Sequence, residues 1–367
     1  MNNILICNAL PTYENCNISL DILKNDSNKV LKAIESKSVE NNYILIGEKD
    51  KNIIPKLQEE LSNFPNLNLK IVTSDDDFHF VYTNESAALK AINNENPIPR
   101  NKENNNILFP IEELCNFEEK RVFITGKVIE SKSYSFSKKT TGKEILDNIK
   151  VKGEFKSMYL GFPMGIFVTE KNLNDEIILT TDKIEVFNET DCMLAKLKII
   201  AENYEKETCG RCVFGFEGVT QINMILSDIL NKKGKVGDLD KLKQLSLQMT
   251  SHTLCDVDNV LASSLLNALD LFHDEINNHI TKKVCEAMEC NKFVTFHILA
   301  SKCTGCGECI DSCKDEAIIG KNKFVHVIVE DDCTQCGKCL SSCEEGAIVK
   351  AGATKPKCPT KPIPCKK

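Results

Sequence analysis

Eight cysteines between positions 303 and 343 fall into two runs of one spacing: Cys303, Cys306, Cys309 and Cys313, then Cys333, Cys336, Cys339 and Cys343. Two-residue gaps set three thiolates around three corners of an iron–sulfur cubane, and the fourth cysteine of each run ligates the other cubane. The spacing therefore predicts two [4Fe–4S] clusters. One rests on Cys303, Cys306, Cys309 and Cys343, the other on Cys333, Cys336, Cys339 and Cys313. The last cysteine of each run is expected on a short helix that reaches the second cluster. The two copies lie 30 residues apart, and each is followed by an Ala-Ile pair, Ala317-Ile318 and Ala347-Ile348. Gly305, Gly307 and Gly337 leave room for backbone N–H groups to approach cluster sulfur. Eight structural zinc thiolates are the weaker reading, because zinc sites rarely use four cysteines with two-residue gaps twice in succession.

The spacing is that of the bacterial ferredoxin with two clusters, although Lys314 and Glu344 stand where a proline usually follows the fourth cysteine. The whole chain of 367 residues carries 19 cysteines and a net charge of −7. An odd count, a start at Met1-Asn2-Asn3 without basic residues, and an apolar run (Ile4–Cys7) too short for a signal peptide point to the cytoplasm and to metal rather than disulfides. No apolar stretch is long enough for a membrane span. Three arginines (Arg100, Arg121, Arg211) in an acidic chain argue against nucleic acid as a partner.

The elements that must hold these cysteines follow from the apolar pattern. Residues 4–7, 43–46 and 69–72 read as short buried strands. Helical patterns run through Val30–Ile34, Ile54–Phe64 and Ala87–Ile92. Strand–helix alternation predicts a parallel α/β domain over 1–118, ending after a linker at 95–106. Strands at Val122–Thr125 and Ile177–Leu179, with a helical piece at Lys143–Ile149, predict an α+β domain of β-grasp type over 119–190. From 191 to 292 the pattern is helical: Val219, Ile222, Leu226, Ile229 and Leu230 share one face, as do Val257, Val260, Leu261, Leu265, Leu269 and Phe272. Four such helices would form a bundle. The two-cluster domain takes 293–350. A Lys/Pro-rich tail, expected to be flexible, takes 351–367 and holds Cys358 and Cys365.

At Glu207-Thr208-Cys209-Gly210-Arg211-Cys212 the chain begins to resemble the flavin-bearing, NADH-oxidising (51 kDa-type) subunit of complex I. It resembles more closely the beta subunit of electron-bifurcating [FeFe] hydrogenases and NAD-linked formate dehydrogenases. That family carries Glu-Ser-Cys-Gly-x-Cys-x-x-Cys-Arg-x-Gly with a fourth cysteine about 40 residues on, here Cys255; the hydrogenase-type relatives append a double ferredoxin. Leu254-Cys255 and Leu269–Ile280 are similar to its last bundle helix. Ile6-Cys7-Asn8-Ala9 is similar to its Val-Cys-Asn-Ala strand, and Asn84–Leu89 to its Gly-Glu-Glu-Thr-Ala-Leu helix.

The departures from that family carry consequences. Its glycine-rich flavin-phosphate loop precedes the strand at which this sequence starts, and Leu10-Pro11-Thr12 replace its acidic residues. Asp77–Tyr82 replace a Gly-Ala-Gly-Ala-Tyr-x-Cys segment, and Pro110–Leu114 replace an Asn-Asn-Val-Glu-Thr flavin contact. The resemblance thus implies a degenerate, N-terminally truncated domain whose FMN and NADH site is lost. In the bundle, Cys209, Cys212 and Cys255 match three cluster ligands, but Gly215 holds the place of the other cysteine, so a third cluster there would need water or a ligand from elsewhere. Cys192 matches a cysteine of the hydrogenase-type relatives. With His279, Cys285 and Cys290 it makes a set of three cysteines and one histidine suited to a closed tetrahedral zinc site. A histidine at a helix end can also serve as a cap.

Three functions compete. The first is an iron–sulfur electron-transfer subunit of a multisubunit oxidoreductase of hydrogenase or formate-dehydrogenase type, partnered by other subunits of a redox complex and by soluble ferredoxin. The second is an active FMN-dependent NADH dehydrogenase subunit. The third is a non-catalytic assembly protein that uses clusters as structural staples. The first is preferred, and it assigns no catalytic acid, base or nucleophile to this chain.

Overall fold

The computed structural model describes residues 3–74, 79–99 and 107–365. They form two compact units, one of Met1–Glu189, Ile199–Asn223 and Asp240–Leu271, the other of Thr190–Lys198, Met224–Leu239 and Phe272–Lys367.

The first unit opens with β1 (Ile4–Asn8), α1 (Ile18–Asn25), α2 (Ser27–Ser36), β2 (Asn41–Gly47), α3 (Ile54–Leu61), β3 (Leu69–Ser74), α4 (Glu85–Ile92), β4 (Leu108–Pro110) and α5 (Ile111–Leu114). The strands make a parallel sheet of order β3-β2-β1-β4. Side chains alternate across it, as the pleat requires. Leu5, Cys7, Ile44 and Ile46 pack with α1, α2, α3 and α5 on one face, and Ile6 packs with Ala88 and Ile92 of α4 on the other. The three expected strands are present, and β4 adds a fourth. The linker expected at 95–106 lies mostly outside the described residues.

Next come β5 (Glu119–Gly126), β6 (Lys132–Ser137), β7 (Lys139–Thr141), α6 (Gly142–Asp147), β8 (Phe155–Leu160), β9 (Ile166–Val168), β10 (Glu176–Ile178) and β11 (Lys183–Asn188). Five of these strands form a mixed sheet of order β6-β5-β11-β8-β9, in which β5 and β11 are parallel. Val122, Ile124, Met158, Leu160, Ile184 and Val186 project from it onto Ile145 of α6. A capping box between Thr141 and Glu144 starts that helix.

Five helices follow, one more than expected: α7 (Met193–Glu207), α8 (Val213–Leu230), α9 (Asp238–His252), α10 (Asp256–Leu271) and α11 (His273–Thr281). The division between the units runs through this helical segment. Its physical reason in the first unit is that α10 docks on the mixed sheet: Tyr159 and Ser264 hydroxyls meet at 3.1 Å, and the Phe167 N–H donates to Asn267 Oδ1 at 2.7 Å.

The second unit ends in β12 (Thr295–Ile298), α12 (Glu308–Asp311), β13 (Ile318–Ile319), β14 (Val327–Ile328), α13 (Lys338–Ser342) and β15 (Ile348–Ala351). β12 pairs with β15, and β13 with β14, both antiparallel. The tail expected to be flexible is hydrogen-bonded instead. Val325 N–H donates to the Ile363 carbonyl at 2.8 Å and Cys365 N–H to the Lys323 carbonyl at 3.0 Å, around a bridge between Phe324 and Pro364. Prolines suit such an edge because they need no donor of their own.

Candidate cluster and metal sites

Local geometry at 303–343 repeats with the sequence. Gly307 and Gly337 begin α12 and α13 in the left-handed region, at φ of 100° and 76°, which frees the preceding loop to curl back over its own thiols. Cys309 and Cys339 sit on these helices and are buried, whereas Cys306 and Cys336 are exposed. The fourth cysteines are not on the helices as expected: Cys313 follows the C-cap Ser312, and Cys343 caps α13 in extended backbone. Helices of four and five residues end too soon to include them. Two cavities result. One is lined by Cys303, Cys306, Cys309 and Cys343, the other by Cys333, Cys336, Cys339 and Cys313. Burial pushes the Cys309 thiol up to about 12 and the Cys339 thiol up to about 11, with the neighbouring thiols adding to the effect. Such crowded thiols favour a site in which positive iron takes up the thiolates.

His326, which no sequence motif marks, lines the first of these cavities. Its Nδ1 lies 3.3 Å from Cys309 Sγ, and its Nε2 is buried without a hydrogen-bond partner. Gly320 permits this approach, since a Cβ there would lie 1.9 Å from the ring. Cys365 of the tail packs against the same core as Cys303.

In the second unit Cys192, His279, Cys285 and Cys290 are all buried, and their ligand atoms lie within 4.8 Å of one another. Cys192 Sγ is 3.3 Å from His279 Nε2 and 3.4 Å from Cys290 Sγ; Cys290 Sγ is 3.7 Å from the same Nε2. Metal–sulfur bonds of about 2.3 Å in a tetrahedron place two sulfurs about 3.8 Å apart, so the cage has the right size. Its orientation is also fixed. His279 Nδ1 faces the Glu275 carbonyl at 2.8 Å; a carbonyl only accepts, so Nδ1 carries a proton and Nε2 is the nitrogen turned to the cysteines. Phe293 closes the ring's edge at 4.9 Å. Hydrogen bonds from Cys192 and Cys290 hold Cys285 well below the usual thiol range, while the same pairing holds Cys192 well above it. Three cysteine sulfurs and one imidazole nitrogen at these distances are a donor set that fits a divalent cation.

In the first unit Cys209 and Cys212 lie in the loop between α7 and α8, and Cys255 immediately precedes α10. Cys255 is buried and the other two are half-buried. Burial pushes Cys255 up to about 12, and the nearby Asp258 adds to this. Burial also lifts the Asp258 carboxyl to about 6. Among the described residues this group does not converge to within 4.8 Å as the His279 group does, so it is too open for a single ion.

Glu207, which opens the Glu-Thr-Cys-Gly-Arg-Cys run, accepts hydrogen bonds from the His79 and Phe80 backbone N–H groups, both at 2.8 Å, and meets His79 Nδ1 at 3.0 Å. Beside it is a cavity of about 480 Å³ whose lining includes Tyr13, Lys183 and Glu185. At the carboxyl ends of β1 and β2, where mononucleotides bind in open parallel sheets, Leu10, Leu45, Val81 and Tyr82 pack into one apolar cluster. The Ser74 hydroxyl meets the Tyr82 hydroxyl at 2.5 Å. Of the segment 77–82 that replaces the family's glycines, residues 77 and 78 lie outside the described residues.

Comparison with known proteins places these sites in context. A family model described as the NADH-ubiquinone oxidoreductase-F iron-sulfur binding region matches residues 195–279, and one described as a 4Fe-4S dicluster domain matches residues 302–348. The NADP-reducing hydrogenase subunit HndC of Solidesulfovibrio fructosivorans is 32% identical over 182 residues, covering 47% of this chain and 37% of its own length. The F-type subunit of NADH-quinone oxidoreductase from Streptomyces coelicolor is 32% identical over 108 residues, covering 29% and 24% respectively. The chain thus spans little more than a third of the length of these relatives at most. A crystal structure of NAD+-reducing [NiFe]-hydrogenase in the air-oxidized state superposes with a TM-score of 0.66 at 14% identity, over 76% of this chain and 57% of that one. The chain therefore carries two regions of iron–sulfur type on a fold shared with a chain of that hydrogenase. No helix among the described residues is long and apolar enough to cross a membrane.

Proposed function

We propose that this chain is an iron–sulfur electron-transfer subunit of a multisubunit oxidoreductase of hydrogenase or formate-dehydrogenase type. Two [4Fe–4S] clusters in the 293–350 domain accept and pass single electrons when bound. The observation that carries this reading is the pair of cavities, each lined by three cysteines of one run and the fourth of the other. In this reading Cys303, Cys306, Cys309 and Cys343 hold one cluster, and Cys333, Cys336, Cys339 and Cys313 the other. The exposed Cys306 and Cys336 mark the edges at which a partner can approach. Other subunits of a redox complex and a soluble ferredoxin are the partners that suit such a relay in the cytoplasm. The relation to HndC, named as a hydrogenase subunit, supports the same assignment.

The reading includes a zinc ion on Cys192, His279, Cys285 and Cys290, and a β-grasp identity for the mixed sheet, whose strand order with β5 and β11 parallel at its centre supports it. It includes as well the first four parts of the division expected from sequence, 1–118, 119–190, 191–292 and 293–350. It also holds that the FMN and NADH site is lost. The apolar packing of Leu10, Val81 and Tyr82 over the carboxyl ends of the parallel strands supports this, because a flavin phosphate needs open backbone N–H groups there.

Anaerobic purification with iron, sulfide, zinc and flavin counted per chain tests the whole reading. About eight irons are expected from the two cysteine runs, rising to about twelve where the bundle cysteines hold a further cluster, with one zinc and no flavin. Cys306→Ala and Cys336→Ala should each remove about four irons and one reducible signal. Unchanged electron flow through the assembled complex in both variants would show that the clusters are not the relay.

A further inference from the structure

Gly215 occupies the third position of the run that begins Cys209-x-x-Cys212, where a third thiolate would complete the motif. The fold leaves no room for a side chain there. A Cβ on Gly215 would lie 2.2 Å from Asp258 Oδ2, 2.9 Å from Asp258 Cγ and 2.7 Å from Cys212 Sγ. The carboxylate of Asp258 already stands in that space. It arrives from the first turn of α10, three residues after Cys255, and its Oδ2 lies 4.0 Å from Cys255 Sγ.

Asp258 is 1% exposed, and its Oδ1 has no hydrogen-bond partner. Thr208 is the hydroxyl that faces the carboxylate. A carboxylate oxygen buried without a partner is costly, and native folds leave such atoms where a ligand satisfies them. The same carboxylate stands beside two of the thiols, with Oδ2 4.0 Å from Cys255 Sγ and in the space next to Cys212 Sγ, on a region matched by an iron–sulfur family model. Among the described residues the three thiols and Asp258 do not gather within 4.8 Å as the His279 group does, a spread that suits a group larger than one ion. A carboxylate carries the same unit charge as a thiolate, so the exchange leaves the formal charge of the ligand set unchanged, and oxygen donors bind iron readily.

We propose that Asp258 is the fourth protein ligand of an iron–sulfur cluster held by Cys209, Cys212 and Cys255, in the place vacated by Gly215. The proposal rests on the reading of 195–279 as a cluster-binding region. Asp258 ligates one iron through a carboxylate oxygen and the three thiolates ligate the others. Each thiol gives up its proton to solvent as it ligates iron, and no change of oxidation state is required of the protein.

The test uses the full chain, reconstituted anaerobically, with iron counted and Mössbauer spectra recorded for four proteins. The native chain should hold about twelve irons, four more than the ferredoxin runs account for, and Cys255→Ala should lose about four. Asp258→Asn, which keeps the shape but weakens the donor, should lose one iron of the four and convert the bundle signal to a three-iron type. Asp258→Cys should restore four irons, with the oxygen-ligated iron site replaced by a thiolate-ligated one. If Cys255→Ala loses four irons while Asp258→Asn and Asp258→Cys match the native spectrum, the cluster exists and Asp258 is not its ligand. If native and Cys255→Ala chains both hold about eight irons, the cluster reading itself fails and takes the proposal with it.

Discussion

His279 Nε2 lies 3.3 Å from Cys192 Sγ, although the two residues are 87 positions apart in the chain. With Cys285 and Cys290 they form a cage of four buried ligand atoms that lie within 4.8 Å of one another. Metal binding to such a site is folding free energy. Cys285→Ser or His279→Ala should therefore abolish the zinc, read by elemental analysis. Each should also lower the thermal midpoint by roughly 4–8 °C, the shift that about 2 kcal/mol produces in a unit of this size. A midpoint indifferent to both substitutions and to chelator would remove zinc from the fold's supports.

Glu289 braces the same cage from outside its four ligand atoms. Its Oε2 accepts the Cys192 N–H at 2.6 Å, and its Oε1 meets Lys196 Nζ at 2.7 Å, which also meets Asp191 Oδ1 at 2.9 Å. Outer-shell partners of this kind change affinity by about 10–100-fold. Glu289→Gln should keep the zinc stoichiometry but weaken retention by about 10-fold in competition with a chelator. Equal retention in both proteins would reduce Glu289 to a surface ion-pair partner.

Glu207 ties the 79–80 segment to the end of α7 through two backbone N–H groups and one imidazole. Glu207→Ala would leave buried donors unpaired, which costs about 1–3 kcal/mol each. Chemical denaturation should show a loss of about 2–4 kcal/mol in the first unit, with iron content unchanged. A loss under about 0.5 kcal/mol would mean that water replaces the carboxylate.

The sites were legible in the sequence to the degree that their ligands are local. The two runs at 303–343 carry their geometry in their own spacing, and the cavities they line keep the expected grouping. Cys192 is far from its three companions in sequence and entered only through a family resemblance. Asp258 escaped notice because an acid in the first turn of a helix ordinarily serves the helix dipole, and the signal that could have found it is the Cys255-Asp256-Val257-Asp258 run opposite a glycine that breaks the motif. His326 had no neighbour in sequence to mark it. In the fold, β1 and β2 hold unbroken apolar runs and β3 one interrupted by Lys70, and all three are readable. β6, with Lys132, Ser133 and Ser135 around Tyr134 and Phe136, is polar on its exposed positions and is specified by pairing with β5. Lysine and proline composition says nothing of the edge at Phe324 that receives the tail.

His326 gives the last prediction, and it turns on the sign of a protonation. Burial holds its imidazole below the ordinary histidine range, and its Nδ1 lies 3.3 Å from Cys309 Sγ; a cluster-bound thiolate only accepts, so Nδ1 would carry the proton toward it. An N–H donor at a ligand sulfur stabilises the reduced, more negative state of a cluster. His326→Leu should therefore move the potential of one of the two clusters in the negative direction and leave the other in place, as read by electrochemical titration. Stability follows the linkage rule. Between the unfolded value of about 6.5 and the lower folded value, the unfolded chain binds the extra proton, so stability falls as the pH drops through that window and is fully present above it. His297, also held below its ordinary range by burial, works in the same direction. Denaturation at about pH 7.5 and 5.5, either side of the histidine range, should show a smaller acid loss in His326→Leu than in the native chain. An identical acid loss, with both potentials unmoved, would mean that His326 only fills space beside Cys309.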